Sequence, residues 1–295
     1  VTSAPRVLLV TCRDLPGGYT DDADLIDALA EEGLTAAWVR WDDPAVDFAA
    51  ADLVLLRSPW DYMRRLDAFL AWCDSVPRLA NPASVVRWNT DKRYLVDLAA
   101  AGVAVVPSSV VAPGERPTWP ATEFVVKPTV GAGSVEVGRF TPARHAEAAT
   151  HLAALHAAGS TALIQPYQAS VDTEGETAVV FFAGVFSHAF HKPAMLDDGP
   201  ARAQARLADA EVVRPGRASE AHRAVAETAL AVAARRLGLR REDLLYARVD
   251  LIADDTGSPL LLELELSEPL LGLRLTDASA RARFAAAVRS MLLDD

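Results

Sequence analysis

Tyr246-Ala-Arg-Val-Asp-Leu-Ile-Ala253, Asp254-Asp-Thr-Gly257 and Pro259-Leu-Leu-Leu-Glu-Leu-Glu-Leu266 form the stretch that decides the fold. It reads as two strands around a turn, because Asp-Asp-Thr-Gly is a good turn signal. Side chains alternate faces along a strand. Tyr246, Arg248, Asp250 and Ile252 therefore share one face, and Leu261, Glu263 and Glu265 share one face of the return strand. With the turn at Asp254 to Pro259, Asp250 falls opposite Glu263 and Arg248 opposite Glu265. Like charges directly opposite destabilise a sheet. Carboxylates among so many leucines are also costly unless paired. A hard divalent cation such as Mg²⁺ would resolve the conflict. So would a solvated strand face with an Arg248–Glu265 salt bridge.

Upstream, Ala178 to Phe182 and Val185 to Lys192 form a second hairpin pattern around Ala183-Gly184. His188 and Lys192 share a face there, and His191 lies on the other. Lys192 is either a surface lysine or a phosphate or carboxylate contact. His188 reads as structural. Further back stands Phe124-Val-Val-Lys-Pro-Thr-Val-Gly-Ala-Gly-Ser-Val-Glu-Val-Gly138. A lysine ends one strand, and a loop with Gly131, Gly133 and Ser134 precedes the next. Small residues let backbone N–H groups approach phosphate oxygens. A plain glycine turn in a hairpin gives the same pattern. Asn89-Thr-Asp-Lys-Arg-Tyr-Leu95 opens a helix expected over Asn89 to Ala101, with Lys92 in its first turns. Leu163-Ile-Gln-Pro-Tyr167 is extended.

The first 86 residues differ in texture. Arg6 to Cys12, Ala36 to Arg40, Asp52 to Arg57 and Arg78 to Asn81 are short apolar strands. Helical spacing over Asp21 to Glu32 and Leu66 to Cys73 separates them. Strands alternating with helices imply a parallel sheet, whose ligands bind beyond the carboxyl ends of the strands. Arg57-Ser-Pro-Trp-Asp-Tyr62 lies at such an end. Arg57 is placed to hold a small carboxylate, Trp60 to wall a pocket and Asp61 to bind an ammonium. An Arg57–Asp61 loop pair explains the same residues. Thr141 to Ala158, Ala218 to Leu237 and Ala278 to Leu293 read as further helices. Met195 to Gly216 is polar and Arg/Ala-rich.

Composition narrows the functions. The chain has 295 residues, and 29 Lys+Arg against 40 Asp+Glu give a net charge of −11. That argues against a general nucleic-acid binder, which needs cations for phosphates. No apolar run approaches the ~20 residues of a membrane span. The beginning, Val1-Thr-Ser-Ala-Pro-Arg6, lacks the basic and apolar regions of a signal peptide. Two cysteines, Cys12 and Cys73, make neither a disulfide framework nor a metal motif, so the cytoplasm is the expected compartment. A homo-oligomer stays open.

The order of these signals resembles the ATP-grasp superfamily of carboxylate–amine ligases, over about Asn81 to Pro269. The resemblance implies an α/β and α+β fold. An N-terminal parallel α/β domain would span 1–86, a small central lid domain 87–164, and a C-terminal α+β domain with the metal site 165–295. It implies ATP and Mg²⁺ as cofactors, with Mn²⁺ able to substitute. Lys92 and Lys127 would contact the phosphates beneath a lid of Gly131, Gly133 and Ser134. Gln165 and Tyr167 would form the hinge that meets adenine, and Glu174 or Glu176 a nucleotide-binding carboxylate. Asp250, Glu263 and Glu265 match metal ligands, and Arg248 matches the arginine that stabilises phosphoryl transfer. Glu265 stands where the family usually has Asn.

Arg57-Ser-Pro-Trp-Asp-Tyr62, Arg87-Trp-Asn-Thr-Asp-Lys-Arg-Tyr94 and Glu263-Leu-Glu-Leu-Ser-Glu-Pro269 look closest to the O-ureido-serine cyclo-ligase group. That implies a small amino-acid-like substrate whose own carboxylate is activated as an acyl phosphate and whose own nitrogen closes the ring. An intermolecular amino-acid ligase, a kinase that stops at a phosphorylated product, and a nucleotide-binding regulatory module without turnover are the competing readings.

Overall fold

The structure, a computed structural model, describes residues 4–131, 136–193, 213–274 and 279–293. Three sheets follow one another along the chain. The first is parallel, ordered β2-β1-β3-β4, from β1 (Arg6–Thr11), β2 (Thr35–Arg40), β3 (Leu53–Ser58) and β4 (Leu79–Ala80). Helices α1 (Leu25–Glu31) and α2 (Leu66–Ser75) cross between them. β1 and β3 carry the apolar runs Val7–Val10 and Leu53–Leu56 because both faces there are covered. Phe69, Leu70 and Cys73 of α2 pack on one face through Leu8, Val10, Val54 and Leu56.

Next come α3 (Ala83–Asn89) and α4 (Tyr94–Ala100). The sequence predicts one helix from Asn89 to Ala101, and the structure corrects this. The chain breaks helix at Thr90–Arg93, where the Lys92 N–H donates to the Thr129 carbonyl at 2.7 Å. Lys92 thus lies between two helices, tied to the glycine loop, rather than in the first turn of one.

The middle sheet is antiparallel, ordered β5-β8-β6-β7. Its strands are β5 (Ser109–Val111), β6 (Phe124–Pro128), β7 (Gly138–Phe140) and β8 (Ala162–Pro166), with α5 (His145–Ala157) against one face. A short helix α6 (Ser170–Glu174) then leads into the third sheet. That sheet is ordered β11-β10-β9-β12-β13, from β9 (Glu176–Phe182), β10 (Val185–Lys192), β11 (Arg214–Gly216), β12 (Tyr246–Ala253) and β13 (Pro259–Glu265). Helix α7 (Glu220–Arg236) covers one face through Ala226, Leu230 and Ala233, and α8 (Ser279–Met291) reaches the other through Phe284. Most of Met195–Gly216 lies outside the described residues; its end forms β11.

The hairpin register is the expected one, with Asp250 opposite Glu263 and Arg248 opposite Glu265. One detail differs. Leu251 pairs with Leu261, so the ladder shifts by a residue at Leu262. Such a bulge reverses the side-chain alternation. Leu261 therefore packs with Leu264 under α7, and only Glu263 and Glu265 turn to the other face.

The core explains why a polar site sits on this sheet. Ala178, Val180, Phe182, Phe190 and Tyr246 on one face join Val7, Leu9 and Leu55 of the first sheet and Leu25 of α1 in a common core with α8. Along the same faces β9, β10 and β12 continue to Glu176, Lys192, Arg248 and Asp250. The apolar end is the seam between sheets, and the polar end is the site. Tyr246 pins the seam: its Oη lies 3.0, 3.1 and 2.9 Å from the carbonyls of Leu56, Ala80 and Ser267.

Candidate active site

Asp250, Glu263 and Glu265 each present an oxygen, and these lie within 4.8 Å of one another. Four cations surround them. Arg248 holds Asp250 at 2.9 Å and Glu265 at 2.5 Å. Lys192 Nζ is 2.7 Å from both Asp250 and Glu176. Lys127 donates to Glu263 at 3.1 Å, and Lys92 Nζ stands 3.7 Å from the same oxygen. The salt bridge and the carboxylate cluster inferred from the hairpin thus coexist.

The electrostatics separate the three acids. Burial alone would raise the Glu263 carboxyl, but Lys92, Lys127 and Lys192 hold it well below the usual carboxylate range. Burial would also raise Asp250, and Arg248 and Lys192 hold it low instead. Glu265 behaves oppositely. Burial pushes it up to about 8 against the pull of Arg248, and the neighbouring Asp250 and Glu263 charges add to the rise. Lys127 is lowered by burial, with Glu263 opposing. The clustered oxygens of the three acids make an all-oxygen donor set, which fits a hard divalent cation of the Mg²⁺ type.

The phosphate-side residues come from the middle sheet and from the α3–α4 break that leans on its glycine loop. Lys127 is in β6, and Lys92 Nζ donates to the Gly131 carbonyl at 2.6 Å. Gly133 and Ser134 lie outside the described residues. The Gln165 side chain donates to the Ser108 hydroxyl at 2.8 Å. The Tyr167 N–H donates to the Glu123 carbonyl at 2.7 Å, and its ring lies 3.7 Å under the Arg139 guanidinium. Between the two glutamates proposed for nucleotide, only Glu176 joins the cluster; Glu174 is exposed at the end of α6.

Lys192 depends on a glycine. Gly175 adopts φ +73°, and a Cβ there would sit 2.2 Å from the Lys192 carbonyl oxygen. Gly175→Ala should therefore displace the end of β10 and lower the melting temperature by several degrees, alongside turnover. A scanning-calorimetry trace matching wild type would refute this.

The structure places the N-terminal candidates differently from one another. Arg57 is 1% exposed. Its Nε and Nη2 bond Asp22 at 3.2 and 3.1 Å, and Nη2 also donates to the Pro269 carbonyl at 3.2 Å. The expected alternative partner, Asp61, instead accepts from Trp41 Nε1 at 2.8 Å and pairs with Arg65 at 3.2 Å. Arg57 Nη1 is buried with no hydrogen-bond partner among the described residues. Trp60 Nε1 donates to the Glu268 carbonyl at 3.2 Å, and its ring meets Tyr19 edge-on. The sequence marks Asp14 to Asp22 only as an acidic loop at the same end of the first sheet, open to a site role or to loop solubility. It assigns no role to Glu268, whose signal is a lone glutamate in the Leu-Ser-Glu-Pro-Leu stretch.

Three layered sheets, with a carboxylate–cation cluster on the hairpin of the last, define an ATP-grasp fold. Solved structures of D-alanine–D-alanine ligase from Bacillus anthracis complexed with ATP (TM-score 0.63, 13% identity, 99% of this chain and 98% of that one) and of the RimK domain ATP-grasp protein from Sphaerobacter thermophilus (0.62, 16%, 98% and 99%) share it. The cycloserine biosynthesis protein DcsG of Streptomyces lavendulae is 43% identical, over 97% of this chain and 98% of that protein. The crystal structure of D-cycloserine synthetase DcsG superposes with a TM-score of 0.87 at 42% identity, covering 97% of this chain and 99% of that one. Residues 7–81 match the family model for the N-terminal domain of D-cycloserine synthetase DcsG. The chain belongs to the DcsG family of ATP-grasp ligases.

Proposed function

We propose that this chain closes O-ureido-D-serine to D-cycloserine with ATP. The observation that carries it is the cluster of Asp250, Glu263 and Glu265 ringed by Lys92, Lys127, Lys192 and Arg248, in a chain so close to DcsG. Asp250, Glu263 and Glu265 would hold Mg²⁺. When bound, the ion neutralises charge on the ATP phosphates.

Lys127, from the middle sheet, and Lys92, from the break between α3 and α4, hold phosphate oxygens. Lys192 and Arg248 neutralise Asp250 and would stabilise the transferred group. Arg248 is fixed by the Leu270 carbonyl at 3.0 Å, so its guanidinium is already oriented. Preorganised donors of this kind contribute without reorganising during reaction. The substrate carboxylate attacks the γ-phosphorus, the bond to ADP breaks, and an acyl phosphate forms. The ureido nitrogen attached to oxygen then attacks the acyl carbon and expels phosphate. This leaves a carbamoyl group on the ring nitrogen. One water removes it as carbon dioxide and ammonia, which balances the atoms.

The test is ADP release from Mg·ATP with O-ureido-D-serine as the sole other substrate, with products weighed by mass spectrometry. The expected result is one ADP per cycloserine. ADP formation only after a second amino acid is added would replace ring closure with intermolecular ligation.

A further inference from the structure

The segment after β13 is held by side chains from both the first and the third sheets and their loops. Asn89 Oδ1 accepts from the Leu266 N–H at 2.6 Å, and Asn81 donates to the Leu266 carbonyl at 2.7 Å. Trp60 takes the carbonyl of Glu268, Arg57 that of Pro269, Arg248 that of Leu270 and His188 that of Leu271. Asp21 accepts from the N–H groups of Leu273 and Arg274, both at 3.0 Å.

Glu268 sits at the middle of this segment, between the β13 carboxylates and the Trp60 loop. Tyr62 Oη donates to its Oε1 at 2.8 Å. Its Oε2 is buried and has no partner among the described residues. A buried carboxylate oxygen without a donor is a costly feature. Here it is kept in place by a fixed backbone and by a bond to the other oxygen. No step of the proposed ring closure uses it.

We infer that Glu268 is the acceptor for the substrate's α-ammonium group. The inference rests on the ring-closure reading. Among the donors of O-ureido-serine, the ammonium is the one whose charge matches a desolvated carboxylate. Trp60, whose indole N–H holds the Glu268 carbonyl, supplies aromatic surface beside the same residue, which also favours a cation. The substrate carboxylate then extends toward Arg248 and the metal ligands, three residues back along the chain at Glu265. Glu268 thus positions the substrate for its own ring closure and leaves the phosphoryl chemistry to the neighbouring cluster.

The experiment pairs two substrates with two variants. O-ureido-D-serine is compared with 3-(ureidooxy)propanoic acid, which keeps the carboxylate and the ureido group but lacks the α-amino group. Wild-type kcat/KM should favour the amino-bearing substrate by about a hundredfold or more. Glu268→Gln should remove most of that preference, mainly by lowering kcat/KM for the amino-bearing substrate. Turnover of the analogue should change by no more than about threefold. Tyr62→Phe keeps the ring and removes the bond that orients Glu268, so it should erode the same preference by about tenfold. If the Glu268→Gln variant fails to fold, the Tyr62→Phe variant carries the test. An equal loss on both substrates, or a preference left intact by Tyr62→Phe, overturns the inference while wild-type turnover keeps the ring-closure reading. No ADP from wild type with O-ureido-serine overturns both.

Discussion

Glu263→Gln should reduce Mg²⁺-dependent ADP release by about a thousandfold, because one substitution acts on the metal and on two lysines. Glu263 is the acid whose charge is most secured, with Lys127 at 3.1 Å and Lys92 at 3.7 Å. An amide of the same shape supplies one neutral oxygen. The two ammonium groups would then repel each other with less between them. The isosteric change leaves the hairpin backbone and its register alone, so far-UV circular dichroism should match wild type. Turnover near the wild-type rate, at saturating Mg²⁺, would remove Glu263 from the site.

Arg57→Ala should cost about 3–5 kcal/mol of folding stability, since it leaves Asp22 buried with its partner gone. Burial already pushes the Asp22 carboxyl up, and Arg57 opposes that rise. The guanidinium also lies 5.5 Å from the Tyr246 ring and 5.6 Å from the Phe284 ring, at the seam between the first and third sheets. Urea denaturation measures the loss. Replacing both partners, Arg57→Met with Asp22→Leu, should recover much of it, because a buried pair and an apolar pair of similar volume are often close in energy. If Arg57→Ala instead unfolds like wild type and only KM for the substrate rises, its free Nη1 is a substrate contact and its bond to Asp22 is incidental.

The hairpin register is legible in the sequence because two periodicities meet there, alternation along each strand and a turn of known chemistry. The opposition of Asp250 with Glu263 follows from those alone. The bulge at Leu262 is not legible, since an extra leucine in a row of leucines leaves no trace in the pattern. Lys92 reads as helical because Asn89 to Ala101 carries no breaker; the tertiary bond from its N–H to Thr129 opens the helix there. Arg57 stands out in the sequence as a site candidate, but its partner comes from 35 residues upstream rather than four downstream. Such pairings depend on which helix lands over which strand. Glu268 has no local signal beyond being charged among apolar neighbours, and its meaning lies in Tyr62 and Trp60.

The fastening of residues 266–274 has a consequence for anyone recombining these enzymes. Its clasps come from Arg57 in β3 and Asp21 and Trp60 in the first sheet's loops as much as from Arg248 and His188 in the third. The first sheet and its loops are therefore no interchangeable cassette. A chimera that imports them from a relative must bring the matching segment after β13 as well, or the new donors will meet the wrong carbonyls. The two distant stretches are bonded as a pair, and a change in one should need a matching change in the other.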